Sequence, residues 1–367
     1  MTKRERLLTA LRGGTPDVVP VTWELVGRFA HAVTGRQDWR AMVDAHRLVG
    51  SAVFNLQGVG PVLKADMPEG YEDRTERTAG SDGSFTDLRT LRTPRGTLTG
   101  RRKSNFIPGD PLVPKTVEYL VKDRGDYDVA EAHVEQLAES ARPDVARSRE
   151  ARDYIGDDGV AGFWMSDALY HLAYMRRDTE FIFDLLEIPE RMHRILDAVN
   201  RLKETEIAAF NASAADVLVL DICWASTSLL SPKLVREFVV ERARRLTQRI
   251  SGEKIWGFFT TGRTRAVLPA LVECGPHFIQ HFDALGDCDL AEVKRTFGRR
   301  ISIVGNYSPV VLARGTLDDA RREARRCLDA AMAGGGYVMS TSDEVPADAK
   351  LDNMKAVVEY VDAHGRY

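Results

Sequence analysis

The sequence contains few cysteines and no long hydrophobic segment, and each absence excludes a class of protein. Its four cysteines are widely spaced and form no CxxC pair, so neither a zinc ribbon nor a disulfide framework is predicted. No apolar run approaches the roughly 18 residues of a membrane span. The charged start, Met-Thr-Lys-Arg-Glu-Arg, is unlike a signal peptide. We therefore expect a cytoplasmic protein, in a reducing compartment, with no membrane partner.

An excess of charge of one sign is also missing. The 367 residues include 51 Lys and Arg and 54 Asp and Glu, which gives a formal net charge of -3. Nucleic-acid binding usually requires a basic face, and the arginine-rich run at 321–326 is mixed in sign and typical of a solvated helix. No nucleic-acid partner is expected. The 44% of hydrophobic residues suffices for one large core or two smaller ones.

Eight short apolar segments have the character of β-strands. Most are nearly continuous rather than alternating, as expected for parallel strands buried on both faces. Helical patterns lie between most of them, for example at 189–210, 232–250, 290–297 and 317–333. Eight strands alternating with helices predict an α/β fold, a (β/α)8 TIM barrel that spans residues 1–367 as one domain. The predicted strands are 18–24, 52–57, 159–165, 217–222, 255–260, 278–283, 301–306 and 336–340.

The gap between the second and third predicted strands is too long for one helix. Residues 71–102 are rich in Thr, Gly, Asp and Arg, with short alternating runs typical of antiparallel strands. We predict a small antiparallel β insertion at 60–110 within the barrel.

In a TIM barrel the active site lies at the carboxyl ends of the strands. Here those ends collect aromatic and polar residues. A strand that merely runs into a polar loop would explain any one of them, but the set is better suited to lining a pocket. The predicted substrate-binding residues are Trp23, Glu24, Asn55, Trp164, Trp224, Thr260, Thr261, Arg263, Asn306, Tyr307 and Ser342.

The junction after the fifth predicted strand is the most informative part of the chain. The apolar residues 255–259 are followed by Thr-Thr-Gly-Arg at 260–263 and then by a helical pattern. A guanidinium can hold a carboxylate or phosphate bidentately, so Arg263 indicates a small anionic substrate. Arg263 could instead pair with Asp283 or Glu24 and only brace the mouth of the barrel.

Three side chains are candidates for catalysis: Asp221, His281 and Tyr174. Asp221 could pair with a protonated nitrogen, His281 could act as the acid, and Tyr174 could assist. Each also has a structural interpretation. Asp221 could cap the turn that follows it, His281 could be a core histidine satisfied by a backbone carbonyl, and Tyr174 could pack on its own helix.

The order of motifs resembles the uroporphyrinogen decarboxylase superfamily, which includes the decarboxylase and the related cobamide-dependent methyltransferases. The most specific motif is Asp221 followed by Leu-Leu-Ser-Pro-Lys-Leu-Val-Arg-Glu-Phe at 229–238. Residues 3–21, Arg-Thr-Pro-Arg-Gly-Thr-Leu at 92–98, and Gly-Gly-Gly-Tyr-Val at 334–338 are also similar to family segments. The resemblance implies a barrel distorted at its mouth, commonly a homodimer, with the active cleft at the C-terminal end.

The zinc ligands of the methyltransferase branch are replaced in this sequence. In that branch the fifth-strand junction reads His-x-Cys-Gly, and the bound zinc lowers the pKa of a substrate thiol. The matching positions here, 259–262, read Phe-Thr-Thr-Gly, and the later cysteine position falls within 340–344, which contains no Cys. Threonine does not replace a thiolate, so we predict no metal site and no cofactor.

The residues typical of the decarboxylase branch are replaced as well. Its arginine-rich motif after the first strand is reduced to Arg28 and Arg36, and Phe-Asn-Leu-Gln at 54–57 stands where an acidic residue is expected. The histidine expected after the last strand maps close to Ser342. A four-carboxylate tetrapyrrole needs several cations and a central carboxylate, so uroporphyrinogen is not the expected substrate.

The leading prediction is therefore a lyase, a metal-independent decarboxylase of a small carboxylated substrate. Two alternatives stay open. One is methyl transfer without protein-bound zinc, with a corrinoid protein as partner, and the other is a non-catalytic binding barrel. Asp221, His281 and Arg263 within about 6 Å of one pocket centre would count against the binding barrel, since charges this close perturb one another's pKa values.

Overall fold

The computed structural model describes residues 1–36, 38–54, 60, 62–105 and 114–367. Within them the strands are β1 (Val62–Lys64), β2 (Glu72–Ala79), β3 (Phe85–Thr93), β4 (Gly96–Ser104), β5 (Lys115–Glu118), β6 (Arg142–Asp144), β7 (Gly162–Ser166), β8 (Val217–Asp221), β9 (Ile255–Phe259), β10 (Phe278–His281), β11 (Ser302–Gly305) and β12 (Tyr337–Val338).

The α-helices of the described chain are α1 (Lys3–Leu11), α2 (Gly27–Thr34), α3 (Trp39–Val49), α4 (Tyr127–Ser140), α5 (Ala146–Ile155), α6 (Ala168–Ala173), α7 (Asp178–Glu187), α8 (Pro189–Ala212), α9 (Pro232–Val235), α10 (Glu241–Thr247), α11 (Leu268–Val272), α12 (Leu290–Phe297), α13 (Pro309–Arg314), α14 (Leu317–Ala331) and α15 (Leu351–His364). A 3-10 turn at Gly156–Asp158 follows α5, and a π-helical segment at Arg236–Val240 joins α9 to α10.

The six strands β7 to β12 form a parallel sheet in which chain order is also spatial order. Apolar residues fill these strands on both faces, as all five residues of β8 are buried. The register pairs Ser166 with Asp221, and Asp221 with Phe259. The carboxyl ends of β7, β8 and β9 therefore lie side by side.

Two N-terminal segments close the sheet into a ring. Val21 forms a parallel bridge to Met339, next to β12, and Val53 forms one to Gly159, just before β7. The amide of Ala52 donates to the carbonyl of Val21 (2.8 Å), which joins the two segments to each other. The predicted TIM barrel is confirmed by this closed parallel arrangement.

The strand predictions for these two segments were too long. Residues 18–24 and 52–54 form single bridges rather than ladders, and 55–57 lie outside the described residues. Pro20 has no amide hydrogen with which to continue a ladder, although its carbonyl accepts from Met339 (3.0 Å). Strand β10, in the interior of the sheet, also ends early compared with the predicted 278–283. There the backbone leaves the extended region, with φ of 84° at His281 and 48° at Phe282.

The predicted insertion is a four-stranded antiparallel sheet, β2 to β5 in sequence order. It ends at Glu118, beyond the predicted limit of residue 110. Leu91 and Leu98 on its inner face are buried in the same core cluster as Val129 and Val134 of α4. The inserted sheet is thus packed on α4, beside the strand ends of the barrel.

A second apolar cluster fills the amino-terminal end of the barrel. Leu7 and Leu11 of α1 pack there with inward residues of the strands, including Val217 and Phe278. Arg4 of α1 donates two hydrogen bonds, of 2.7 and 2.6 Å, to Asp216 at the start of β8. Helix α1 therefore closes the bottom of the barrel, and the opposite end carries the polar residues. None of the helices in the described residues is long and apolar enough to cross a membrane.

Candidate active site

Two buried acids lie next to each other at the ends of β7 and β8. The amide of Asp167 donates to the backbone carbonyl of Asp221 (2.9 Å). The Asp167 carboxylate caps α6 by accepting from the amide of Tyr170 (2.7 Å), and the Asp221 carboxylate accepts from the amide of Cys223 (2.9 Å). Asp221 thus caps the turn that follows it, which is the structural interpretation that the sequence allowed.

Burial changes the acidity of both groups. Because water cannot solvate the charged forms, the pKa of Asp167 and the pKa of Asp221 are each raised to about 7. The amide hydrogen bonds oppose this rise, while the negative charge of Asp167 adds to it at Asp221. Each carboxyl can therefore hold its proton up to about neutral pH, and a pKa near the working pH suits a general acid or base.

Two tyrosines and a cysteine surround Asp221. The hydroxyls of Tyr170 and Tyr174 are hydrogen-bonded to each other, and their ring centroids are 4.6 Å apart. Burial, followed by the charge of Asp221, raises the pKa of the half-buried Cys223 thiol. Burial likewise raises the pKa of Tyr174. The thiol and phenol stay protonated at neutral pH, so Cys223 is not an activated nucleophile.

A cavity of about 570 Å³ lies between α6, the adjoining end of β7 and the inserted sheet. Trp164 and Tyr174, both predicted from the sequence, line it. Ser166, at the end of β7 beside Asp221, is also in the lining. The sequence analysis missed the rest of the wall, above all His171 and three arginines of the inserted sheet, Arg89, Arg101 and Arg102.

His281 occupies a different position from the one expected of a catalytic acid. It is fully buried, and its Nδ1 donates to the carbonyl of Thr341 (2.9 Å). Its Nε2 is 2.9 Å from the side-chain amide nitrogen, Nε2, of Gln280. It is also 3.7 Å from Oε2 of Glu24, whose side chain is buried as well. Burial lowers the pKa of the imidazole. His281 is thus a neutral core histidine satisfied by a backbone carbonyl, and it does not line the cavity.

The Thr-Thr-Gly-Arg junction is held in place by both backbone and side-chain hydrogen bonds. The carbonyl of Arg263 accepts from the amide of Thr227 (2.7 Å), and the hydroxyl of Thr260 donates to the carbonyl of Gln280 (3.0 Å). Thr261 is half-buried. The guanidinium of Arg263 is exposed and forms no ion pair within the part of the chain that the structure describes. Pairing with Asp283 or Glu24 is therefore not observed.

Three of the predicted pocket residues pack in the core instead. Trp23 meets Tyr307 edge to face, with centroids 5.6 Å apart, and the Tyr307 hydroxyl donates to the carbonyl of Ala320 (3.1 Å). Trp224 packs edge-on against Phe181 of α7 at 5.3 Å. None of the three aromatic side chains lines the cavity. Helices α7 and α14 supply the residues that they contact, and the apolar pattern of the strands could not indicate these contacts.

The remaining predicted residues are also engaged elsewhere. The amide of Asn306 donates to the carbonyl of Phe282 (3.0 Å) and accepts from Arg326 (3.0 Å). Ser342 is buried, and its backbone amide donates to the carbonyl of Tyr307 (2.8 Å). Asn55 lies outside the described residues. The lining of the described cavity includes none of the three residues Asp221, His281 and Arg263. The grouping of these three side chains around one pocket, which would have argued against a non-catalytic barrel, is therefore not found in this cavity.

The zinc of the methyltransferase branch does not fit these residues. In the described chain no group of three or more His, Cys, Asp or Glu side chains is placed to hold a metal ion. At the junction, Thr260 already uses its hydroxyl on a backbone carbonyl, and a neutral hydroxyl lacks the negative charge of a zinc-binding thiolate.

A comparison with known protein families identifies the family to which this architecture belongs. The family model for uroporphyrinogen decarboxylase (URO-D) matches residues 161–364, more than half of the chain. The chain belongs to the uroporphyrinogen decarboxylase family. The resemblance inferred from the motifs is thereby confirmed. The matched segment contains the whole parallel sheet from β7 to β12 and both buried acids.

Relatives of this URO-D family chain perform two kinds of chemistry. It is 30% identical over 159 residues to the methylcobamide:CoM methyltransferase MtaA of Methanosarcina barkeri, covering 42% of this chain and 44% of the relative. It is 30% identical over 190 residues to the uroporphyrinogen decarboxylase of Cupriavidus necator, covering 48% and 49%. The chain thus spans about half the length of the curated relatives it matches.

A solved structure of a methyltransferase from Methanosarcina mazei matches over 99% of both chains. The TM-score is 0.68 and the sequence identity is 18%. At this identity the match supports the fold alone.

Proposed function

We propose that this URO-D family protein is a metal-independent decarboxylase of a small carboxylate other than uroporphyrinogen. The observation that carries the proposal is the pair of buried acids with pKa values of about 7 beside the cavity. Strongly perturbed acids in a cleft are candidates for catalytic groups because their burial costs stability.

Asp221 is the better candidate for the acid. The Asp167 carboxylate is committed to capping α6, and the neutral His281 lies away from the cavity lining. The charge of Asp221 acts on the phenol of Tyr174, which lines the cavity. Asp167 then serves to keep the pKa of Asp221 high through like-charge repulsion.

The proposed reaction uses one proton. Protonated Asp221 transfers its proton to the substrate carbon that bears the carboxylate, and an electron-rich ring carries the resulting positive charge. The bond between that carbon and the carboxylate then breaks, its electron pair restores the ring, and carbon dioxide leaves. Solvent reprotonates Asp221, so the net change is replacement of the carboxylate by hydrogen.

The test is a screen of electron-rich aromatic and heteroaromatic carboxylates for release of carbon dioxide. With a substrate found, Asp221→Asn is expected to lower kcat by roughly 10²–10⁴-fold, the usual range for loss of a general acid. The matched control is Asp329→Asn, an exposed acid on α14 that pairs with Arg325, which should leave turnover unchanged. Full activity in Asp221→Asn would refute the assignment.

Methyl transfer without protein-bound zinc is the second candidate. It is favoured by the 30% identity to a methylcobamide:CoM methyltransferase. Incubation with methylcobalamin and a thiol tests it directly, with the methylated thiol measured by mass spectrometry. A methylated product that forms in the presence of EDTA would support this candidate over decarboxylation. Stoichiometric zinc in the purified protein would instead indicate that zinc is bound by residues outside the junction at 259–262.

A further inference from the structure

The cavity has two chemically different walls. The barrel side presents aromatic rings, from the half-buried Trp164 on β7 and from Tyr174 after α6. The inserted sheet presents arginines on β3 and β4, namely Arg89, Arg101 and Arg102. A flat apolar surface facing cations suits a ligand that has both a ring and a negative charge.

Two of the three arginines already face an acid of the protein. Arg89 donates two hydrogen bonds, of 2.9 and 2.8 Å, to the carboxylate of Asp73. Arg101 lies 3.4 Å from the carboxylate of Glu118, which also pairs with Lys122 at 2.9 Å. A guanidinium held by an acid of the protein has less charge to offer to a ligand.

Arg102 differs from both of these. Its cross-strand partner in β3 is Asp87, but that carboxylate is occupied by Arg77 through hydrogen bonds of 2.7 and 2.8 Å. The exposed guanidinium of Arg102 makes neither an ion pair nor a hydrogen bond with any described residue. Of the three arginines in the lining, Arg102 is therefore the one that pairs with no acid among the described residues, and its charge is available to an incoming anion.

The pairing of β4 with β5 is irregular at the point where two consecutive residues of β4 line the cavity. Arg101 pairs with Glu118 and Arg102 with Thr116, so the register shifts between them and Val117 is an extra residue on β5. Such a bulge bends and twists the strand that carries the extra residue, here β5.

The charge of Arg102 acts on the catalytic side of the cavity. Burial raises the pKa of the Tyr174 phenol, and Arg102 opposes that rise from the facing wall while Asp221 adds to it. Tyr174 thus lies within electrostatic range of both the cation and the acid. An anion bound at Arg102 would place an attached ring against the aromatic wall and near Asp221.

We propose that Arg102 binds an anionic group of the substrate while Trp164 and Tyr174 pack against its ring, so that the substrate class is an aromatic carboxylate of one or two rings. This rests on the proposed decarboxylase function. The cavity volume of about 570 Å³ lies within the ordinary range for small-molecule sites.

Binding of 1-naphthoate, with the neutral 1-naphthamide as its isosteric partner, tests the proposal by calorimetry or ligand-observed NMR. Arg102→Met keeps an unbranched apolar side chain and removes the guanidinium with its charge. It should weaken naphthoate binding about 10-fold or more and leave naphthamide binding unchanged. Arg92→Met is the matched control, because Arg92 pairs with Glu72 elsewhere on the inserted sheet. This variant should bind naphthoate as the unmodified protein does.

The proposal is overturned if the unmodified protein does not bind naphthoate, if Arg102→Met binds it equally well, or if Arg92→Met loses as much affinity. Asp221→Asn separates this inference from the proposed function, since it should abolish decarboxylation and retain naphthoate binding. Normal turnover in Asp221→Asn with Arg102-dependent binding would reject the decarboxylase mechanism alone. Loss of turnover in Asp221→Asn with binding indifferent to Arg102 would reject the anion site alone.

Discussion

The backbone amide of Asp167 donates a 2.9 Å hydrogen bond to the backbone carbonyl of Asp221, which brings the ends of β7 and β8 together. Both carboxyls are buried at this point. Two acids that share a desolvated site hold protons at a pH where exposed acids have lost them. Their placement is expected to affect stability and, under the proposed function, catalysis, and each effect can be measured.

Asp221→Asn should make the stability of the protein less sensitive to pH. The pKa of Asp221 is raised from 3.8 to about 7 on folding, so the folded state binds its proton more tightly than the unfolded state. This stabilisation is present in full below about pH 4 and is lost as the pH rises to about 7, by roughly 4 kcal/mol for a difference of this size. Urea unfolding from pH 4.5 to pH 8 measures it.

Across that range the free energy of unfolding of the unmodified protein should fall relative to that of Asp221→Asn. Parallel curves for the two proteins would contradict the buried, protonated state of Asp221.

Asp167→Asn should shift the pH dependence of turnover. Asn can still cap α6, but the negative charge that raises the pKa of Asp221 is gone. Activity that requires protonated Asp221 falls as the pH rises through about 7, and this fall should occur at lower pH in Asp167→Asn. A profile of kcat/KM against pH measures the shift. A limb that stays in place would show that the two carboxyls do not interact.

His281→Ala should destabilise the protein more than it impairs chemistry. The substitution leaves the Thr341 carbonyl without its hydrogen-bond donor and removes one of the two acceptors of the Gln280 side-chain amide, the other being Glu24, at an expected cost of about 2–3 kcal/mol in the free energy of unfolding. Denaturant unfolding gives the stability, and kcat at a temperature where the variant is folded gives the activity. Unchanged stability together with abolished turnover would restore the catalytic role predicted from the sequence.

Gly262→Ala should destabilise the Thr-Thr-Gly-Arg junction. Gly262 has a φ of 66°, and an added Cβ would lie 2.8 Å from Oγ of Ser226 and 3.0 Å from Oγ of Ser228. Backbone strain and crowding together should lower the melting temperature and cost roughly 1–3 kcal/mol. Gly275→Ala separates the two causes, because Gly275 has a φ of 79° with no atom within 4 Å of an added Cβ. Equal losses in the two variants would mean that crowding contributes nothing.

The barrel could be predicted because its signal is local. Continuous apolar runs mark strands buried on both faces, and most predicted strands of the parallel sheet match observed ones to within a few residues. The mismatches have backbone causes that side-chain hydrophobicity does not carry, such as Pro20 in the first segment and the positive φ of His281.

The site was predicted only in part. Asp221 ends β8, Trp164 lies within β7 and Tyr174 follows α6, and the structure brings them to one side of the barrel mouth. Asp167 directly follows β7, and its position after a buried strand was a signal that could have included it. His281 shares that signal, yet its imidazole is used by Gln280 and Thr341, and residues remote in sequence made that difference.

The sequence alone determined the family and the barrel, because these depend on short motifs and on the period of the apolar residues. Only the tertiary structure decided which cation faces the cavity. Arg263 stood at the expected strand end, but Arg102 on the inserted sheet lies in the lining. The charge available from an arginine depends on which acids pack beside its neighbours, and Arg77 leaves Arg102 available by occupying Asp87. Such pairing between side chains of neighbouring strands is set by the folded structure and cannot be inferred from a local sequence pattern.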